Sequence, residues 1–147
     1  EAEIDRIEEL VDALLGSSYC HAAAGQQMRG VLGPEQILVT APYNVQVNRL
    51  QQRLGKKARV GTVDKFQGQE APVAIHSLTA SDGDAAPRGL GFLLEPNRLN
   101  VAISRAQCLS IVVGSPGLTT GIASTVQEAE QINRLCRITQ PAAHLLR

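Results

Sequence analysis

Short apolar runs alternate along this chain with segments whose apolar residues recur at helical spacing. The apolar runs predict strands over 37–40, 58–63, 71–78 and 109–113. The helical spacing predicts helices over 1–15, from a cap at Asn44 to Gly55, over 97–107, and after a capping box formed by Ser124 and Gln127. Because parallel strands need a crossover between them, this alternation predicts an α/β fold of three layers, with a mainly parallel sheet and helices on both faces.

We expect one domain over residues 1–140 and a disordered tail over 141–147. The 147 residues are 44% hydrophobic and 19% charged, which is typical of a single globular domain. Residues 16–35 are rich in Gly, Ala, Ser and Gln and form a connection whose detailed structure the sequence does not indicate; Tyr19 and His21 are interpreted as loop residues within it. The chain opens inside a helical pattern and without a methionine, so we expect it to be a piece of a longer protein.

Basic residues are concentrated in one part of a chain whose formal net charge is zero. Between positions 49 and 65 the only acidic residue is Asp64, and the basic ones are Arg49, Arg53, Lys56, Lys57, Arg59 and Lys65. A solvated surface and a surface that follows phosphates would both produce this pattern, and the sequence leaves the two open.

Cysteine spacing and hydropathy indicate the compartment. The three cysteines are far apart and form no CxxC pair, which favours a reducing compartment over a disulfide framework or a zinc site. No apolar run reaches transmembrane length and no signal peptide opens the chain. We therefore expect a cytoplasmic protein with no membrane partner.

The turn around Gly68 has the composition of a ligand-binding loop. Glycine lacks the Cβ that would keep a phosphate or another backbone away, and the polar residues Gln67, Gln69 and Glu70 surround it. Ligands of parallel sheets gather beyond the carboxyl ends of the strands. Because Thr40, Thr62 and Gly68 each follow a predicted strand, we expect them to lie at one edge.

Arg105 belongs to the helix predicted over 97–107. The apolar residues of that helix share one face, and Arg105 lies about 200° round the helix from Ile103, away from that face. A guanidinium held off the core suits the recognition of a phosphate. The sequence contains no GxxxxGK[ST] motif and no strand that ends in an Asp-Glu pair, so it lacks the parts that cradle a triphosphate and its metal.

Three segments carry a family resemblance that runs from residue 1 to about residue 116. VDKFQGQE and the later RLNVAISRA resemble motifs V and VI of superfamily-1 helicases, most closely the 5′-to-3′ branch that acts in nonsense-mediated decay and Okazaki-fragment processing. TAPYNVQ resembles motif IV, and PRGLGFLLEPNRLNVAISRA is also similar to the helicase end of bacterial RecB-like nuclease–helicase fusions.

The resemblance implies the second RecA-like lobe of a P-loop NTPase, with ATP and Mg²⁺ held mainly by a first lobe that is not in this chain. It assigns Arg105 as the catalytic arginine finger on the γ-phosphate. Gly68 would offer its N–H to that phosphate, Glu70 would bind the ribose hydroxyls, and Gln67 and Tyr43 would complete the nucleotide site. The isolated fragment is expected to hydrolyse nothing.

The resemblance also implies contacts with single-stranded DNA or RNA, without distinguishing the two. The implied contact residues are Thr40, Pro42, Thr62 and Lys65. Motif IV departs from many relatives because it lacks their arginine, for which Arg49 is the nearest candidate. His76, within an apolar run, is interpreted as a core or rim residue.

Two other classes of function stay open at this point. The chain could be a module that binds nucleic acid or a partner without catalysis, which the neutral motif IV favours and Arg105 disfavours. It could also be a structural lobe of a nuclease fusion whose helicase activity has decayed.

Overall fold

The computed structural model describes residues 2–23, 25–79, 89–120 and 122–139. They belong to two compact units: the first draws on Glu1–Thr79 and Asn97–Gly114, and the second on Ala80–Pro96 and Ser115–Arg147. Every predicted site residue belongs to the first unit. The single domain predicted over 1–140 stays a prediction, and the predicted tail at 141–147 lies outside the described residues.

The first unit is built on a four-stranded parallel sheet. Its strands are β3 (Ile37–Thr40), β4 (Arg59–Gly61), β5 (Ala71–Ser77) and β6 (Ala106–Val113), in the order β4-β3-β5-β6. Helices α1 (Ala2–Leu14), α2 (Asn44–Leu54) and α4 (Pro96–Ile103) accompany it. The predicted α/β fold with a parallel sheet is therefore confirmed, and it is consistent with a RecA-like fold.

Alternate residues of the central strands enter two different cores. On one face, Ile37 and Val39 of β3 pack with β5 and with apolar residues of α1 and α2. On the other face, Leu38 packs with Ala74 and with Phe66, which belongs to the short 3-10 turn Asp64–Phe66. This alternation follows from the two-residue period of a strand, and burial on both faces explains why the parallel strands read as continuous apolar runs.

The segment 16–35 is more than a connection, and the interpretation of Tyr19 and His21 as loop residues is wrong. It contains an antiparallel hairpin of β1 (Ser18–Ala23) and β2 (Gln26–Val31), so Tyr19 and His21 are strand residues. Most described residues of the hairpin are exposed. None of its described residues is fully buried, so the hairpin has no clear apolar alternation, which is why the pattern did not reveal it.

Three predicted boundaries also differ. The helix predicted over 97–107 ends at Ile103, because the backbone leaves it to start β6, where Ala106 pairs with Ala71. The strand predicted over 58–63 is shorter, since the 3-10 turn follows closely. The residue at the N-cap position of α2 is Tyr43, whose side chain does not cap the helix, and Asn44 is the first helical residue.

The second unit contains α3 (Gly89–Leu93), a 3-10 turn (Pro116–Leu118) and α5 (Val126–Thr139). Its buried apolar residues include Leu93, Leu118, Ile132 and Leu135. In place of the predicted capping box of Ser124 and Gln127, a related arrangement of hydrogen bonds involves Thr125 and Glu128. Thr125 Oγ1 accepts from the Glu128 N–H at 3.1 Å, and the Glu128 carboxylate accepts from the Ser124 N–H at 2.8 Å. An ionised carboxylate accepts more strongly than the amide of Gln127.

Candidate nucleotide and nucleic-acid site

The Gly68 turn and Arg105 meet at the edge of the sheet where β5 and β6 begin. Ala71, the first residue of β5, donates its N–H to the Arg105 carbonyl at 3.0 Å. Arg105 Nη1 in turn donates to the Gln69 carbonyl at 3.4 Å. The expectation that Gly68 shares an edge with Thr40 and Thr62 is therefore wrong, because by Gly68 the chain has already crossed back to the start of the next strand.

Arg105 lies in the turn that follows α4, and not on the helix as predicted. Its Nε donates to the Val101 carbonyl at 3.0 Å, and its Nη2 donates to Ser104 Oγ at 3.4 Å. Cations are favoured at the negative end of a helix, where the last carbonyls lack helical partners. The helix end therefore holds this partly exposed guanidinium at the sheet edge.

The backbone conformation at position 68 favours glycine. Its φ is +77°, and a Cβ built on it would meet nothing within 4 Å. Gln67 and Glu70 beside it are exposed, and Glu70 Oε2 accepts from Gln107 Nε2 at 3.4 Å. A neutral amide leaves the negative charge of that carboxylate in place.

The predicted nucleic-acid residues lie at the opposite edge, where β3 and β4 end. Thr40 is the last residue of β3, and its side chain is buried: Oγ1 lies 2.8 Å from His76 Nδ1 and donates to the Ile75 carbonyl at 3.4 Å. Burial and the nearby charge of Arg98 lower the pKa of His76 to about 4, so this imidazole is neutral near pH 7. The interpretation of His76 as a core residue fits this environment.

Thr62 and Lys65 follow β4 and are accessible. Thr62 Oγ1 accepts from the Lys65 N–H at 3.3 Å, and Lys65 Nζ lies 5.9 Å from the centre of the Phe66 ring. Pro42 and Tyr43, both half-buried, follow β3 at the same edge. Tyr43 therefore lies away from the Gly68 turn, so the structure brings together only part of the predicted nucleotide set.

Two residues of the basic cluster are paired within the molecule. Arg53 of α2 forms ion pairs with Asp5 and Glu8 of α1. Lys57, shortly after the end of α2, forms ion pairs with Glu8 and Asp12 of α1. The bond from Arg53 lowers the pKa of Glu8, and the bond to Asp12 raises the pKa of Lys57. For these two of the six basic residues, the interpretation as a solvated, internally paired surface is the better one.

Arg59 is a site residue that sequence reasoning missed. It begins β4, at the same edge as the Gly68 turn, and its Nη2 donates to Gln69 Oε1. Its place in the strand predicted over 58–63 was visible in the sequence, but its contact with Gln69 depends on the crossover that brings β4 and the turn together.

No group of three or more His, Cys, Asp or Glu residues within the described ranges could hold a metal ion. None of the helices described above is long and apolar enough to cross a membrane.

Comparison with known proteins gives a family match over most of the chain. Residues 1–117 match the family described as AAA domain. The chain belongs to this family. It is 34% identical over 117 residues to "Probable helicase MAGATAMA 3" of Arabidopsis thaliana, a match that covers 72% of this chain and 14% of that protein.

Two further relatives are similar to this chain over a comparable length. The chain is 37% identical over 124 residues to "Regulator of nonsense transcripts 1 homolog" of Arabidopsis thaliana, covering 78% of this chain and 9% of the relative. It is 34% identical over 125 residues to "DNA polymerase alpha-associated DNA helicase A" of Saccharomyces cerevisiae, covering 76% and 18%. This AAA-family chain is thus a helicase-family domain that spans less than a fifth of these relatives' lengths.

Proposed function

We propose that this chain is the second motor lobe of an ATP-dependent superfamily-1 helicase or translocase, and that Arg105 is its arginine finger. The observation that carries the proposal is the placement of Arg105 beside the Gly68 turn, with its Nη1 on the Gln69 carbonyl. A guanidinium at that place would meet a nucleotide held on a first, P-loop lobe. Such an arginine stabilises the charge that develops in phosphoryl transfer.

The other residues of this edge would contact different parts of the nucleotide. The Gly68 N–H would face the γ-phosphate, and Glu70 would accept hydrogen bonds from the ribose hydroxyls, since a carboxylate repels phosphates. Gln67 would lie between the nucleotide and the bound strand. ATP would supply the phosphoryl group, and Mg²⁺ would neutralise part of its negative charge. As the family resemblance implies, the Mg²⁺ ligands would come mainly from the first lobe.

The opposite edge would hold single-stranded DNA or RNA. Thr62, Lys65 and Pro42 are accessible there, and such contacts to the backbone position a strand without reading its sequence. Thr40 would contribute its hydroxyl only after release from His76, and Tyr43 would serve this edge more readily than the nucleotide. With the nucleotide at one edge and the strand at the other, closure of the lobes on ATP would move the strand site.

One observation favours a second candidate, a non-catalytic lobe that binds nucleic acid or a partner. The first turn of α2, which corresponds to motif IV, carries no cation: it begins with Asn44 and Val45, and Gln46 is buried against Ser77. A γ-phosphate contact from this segment would have to come from Arg49. The ATPase experiment distinguishes the two candidates.

The test is the nucleic-acid-stimulated ATPase of the longest natural polypeptide that contains this sequence. Arg105→Ala should lower kcat by a factor on the order of 10³ while ATP binding is retained. Arg6→Ala, which removes an exposed arginine paired with Glu9 on α1, is the matched control and should leave kcat unchanged. A wild-type protein without ATPase would exclude the motor, and binding of a labelled single strand by that protein would then support the second candidate. An Arg105→Ala variant with full activity would exclude the arginine finger.

A further inference from the structure

Three neighbours hold Arg59 at the edge where β4 begins. Its guanidinium lies 5.4 Å from the centre of the Phe66 ring, and its Nη2 donates to Gln69 Oε1. Its Nε lies 3.8 Å from the Glu35 carboxylate, and the Arg59 side chain is only 28% exposed. A guanidinium that is stacked on a ring and bonded along its planar edge has one preferred orientation.

Gln69 joins Arg59 to Arg105. Its side-chain oxygen accepts from Arg59, and its main-chain oxygen accepts from Arg105 Nη1 at 3.4 Å. Its own N–H donates to the Phe66 carbonyl at 3.0 Å, and its Nε2 donates to the Lys65 carbonyl at 3.5 Å. Gln69 thus lies between the two guanidinium groups and is bonded to both of them.

The remaining hydrogen bonds of the Arg105 side chain stay close to its own turn, on the Val101 carbonyl and Ser104 Oγ. Among the described residues, the bond to Gln69 is therefore the hydrogen bond that ties this guanidinium to another segment of the chain. A displacement of Gln69 would change where the Arg105 guanidinium lies relative to Gly68 and Glu70.

We infer that Arg59 is a positioning residue for Arg105: Arg59 fixes Gln69, and Gln69 fixes the guanidinium. The consequence for catalysis rests on the proposed function, in which Arg105 contacts the nucleotide. Arg59 itself contacts Phe66, Gln69 and Glu35 inside this lobe. Its effect on catalysis would therefore pass through Gln69 and Arg105 and would not come from a direct contact with phosphate. Misplacement of a catalytic group by a fraction of an ångström to one ångström is enough to slow a reaction substantially.

The kinetic test uses the same natural polypeptide and four variants: Arg59→Ala, Arg105→Ala, the double variant, and the control Arg6→Ala. Arg59→Ala should lower kcat about tenfold or more, with KM for ATP within about twofold of the wild type. In the Arg105→Ala background, Arg59→Ala should not lower kcat further, because the effect of Arg59 on kcat passes through Arg105. An equal loss of kcat in both backgrounds, or a change in KM alone, would overturn the inference.

A second test needs no activity and uses the 147-residue chain. The readout is the NMR resonance of the Arg105 Nε–H group, which reports the environment of that guanidinium. Arg59→Ala should shift this resonance, and so should Gln69→Ala, which removes the acceptor for Arg59 but keeps the main-chain carbonyl. Arg6→Ala should not shift it.

The two tests separate the two proposals. A wild-type protein without ATPase removes the proposed function, and the resonance of Arg105 still decides whether Arg59 positions it. An unmoved resonance in both Arg59→Ala and Gln69→Ala, each folded as judged by its amide spectrum, would overturn the positioning role. An active enzyme that needs Arg105 but tolerates Arg59→Ala would overturn it as well.

Discussion

Thr40 and His76 form a buried pair across neighbouring parallel strands. They are direct partners in the register of β3 and β5, and Thr40 Oγ1 lies 2.8 Å from His76 Nδ1. The two residues are 1% and 3% exposed. Burial is the main reason why the pKa of His76 falls from 6.5 to about 4, and the charge of Arg98 lowers it further.

This pair predicts that acid destabilises the chain at pH values above those at which carboxylates titrate. Between pH 6.5 and about pH 4 the unfolded chain binds a proton at His76 that the folded chain does not bind. The stability contributed by neutral His76 is therefore complete above pH 6.5 and is lost as the pH falls toward 4. From pH 7 to pH 5 the loss from this residue is about 2 kcal/mol.

The measurement is urea unfolding of the wild type and of His76→Gln at pH 7 and pH 5. The glutamine keeps a donor and an acceptor but does not titrate, so the difference between the two pH dependences isolates His76. The variant should lose less stability on acidification than the wild type does. Equal losses would contradict the buried neutral imidazole.

Much of the first unit could be predicted from sequence because its central strands are buried on both faces. The four residues of β3 are all buried, as are the seven of β5, and most of them are apolar, so each strand is recognisable as an apolar run. The hairpin of β1 and β2 could not be predicted in this way, since its residues are mostly exposed. Apolar pattern reports burial, and where burial is absent it carries no signal.

The site was predicted as a set of residues, but its arrangement was not. The apolar residues Leu99, Ala102, Ile103 and Ala106 continue a helical pattern through Arg105, while the pairing of Ala71 with Ala106 ends the helix earlier. Which edge Gly68 occupies depends on where the crossover from β4 reaches the sheet. Both features are set by tertiary pairing, which overrides local propensity.

The backbone of the Gly68 turn gives a second prediction. Its φ of +77° is rarely adopted by residues with a side chain, although there is room for a Cβ. Gly68→Ala should therefore lower the free energy of unfolding by about 1 kcal/mol through backbone strain alone. Gly68→Asn should cost less, because asparagine tolerates positive φ. Urea unfolding of both variants checks this, and an alanine variant as stable as the wild type would refute the strain.

A third prediction concerns Gly61, where a Cβ would clash with neighbouring side chains. A Cβ at this position would lie 2.7 Å from Lys65 Cδ and 3.0 Å from Phe66 Cε2. The lysine chain can move, but Phe66 is packed in the core with Leu38 and Ala74. Gly61→Ala should therefore destabilise the chain by about 1–3 kcal/mol, the usual cost of overpacking.

A double-mutant cycle with Phe66→Leu tests the cause of that loss. If the added methyl group clashes with the ring, Gly61→Ala should cost clearly less in the Phe66→Leu background than in the wild type. Chemical denaturation of the four proteins measures both values. The same cost in the two backgrounds would locate the clash elsewhere.

The ion pairs between α1 and α2 lead to the last prediction, on nucleic-acid binding. Arg53 and Lys57 are bonded to acidic residues of α1, whereas Lys65 lies beside Thr62 at the carboxyl edge of the sheet and is exposed. A lysine that contacts a phosphate releases a counterion, so removing it weakens binding and lowers the salt dependence. A cation already neutralised by a carboxylate contributes little to the binding affinity or to its salt dependence.

Fluorescence anisotropy with a labelled single strand, repeated over a range of salt concentrations, measures both quantities. Lys65→Ala should weaken binding and lower the slope of log K against log salt by about 0.7, the value for one phosphate contact on a single strand. The double variant Arg53→Ala, Lys57→Ala should leave the slope unchanged, although it removes twice the charge. If the double variant lowers the slope more than Lys65→Ala does, the strand lies along α2 and not at the end of β4.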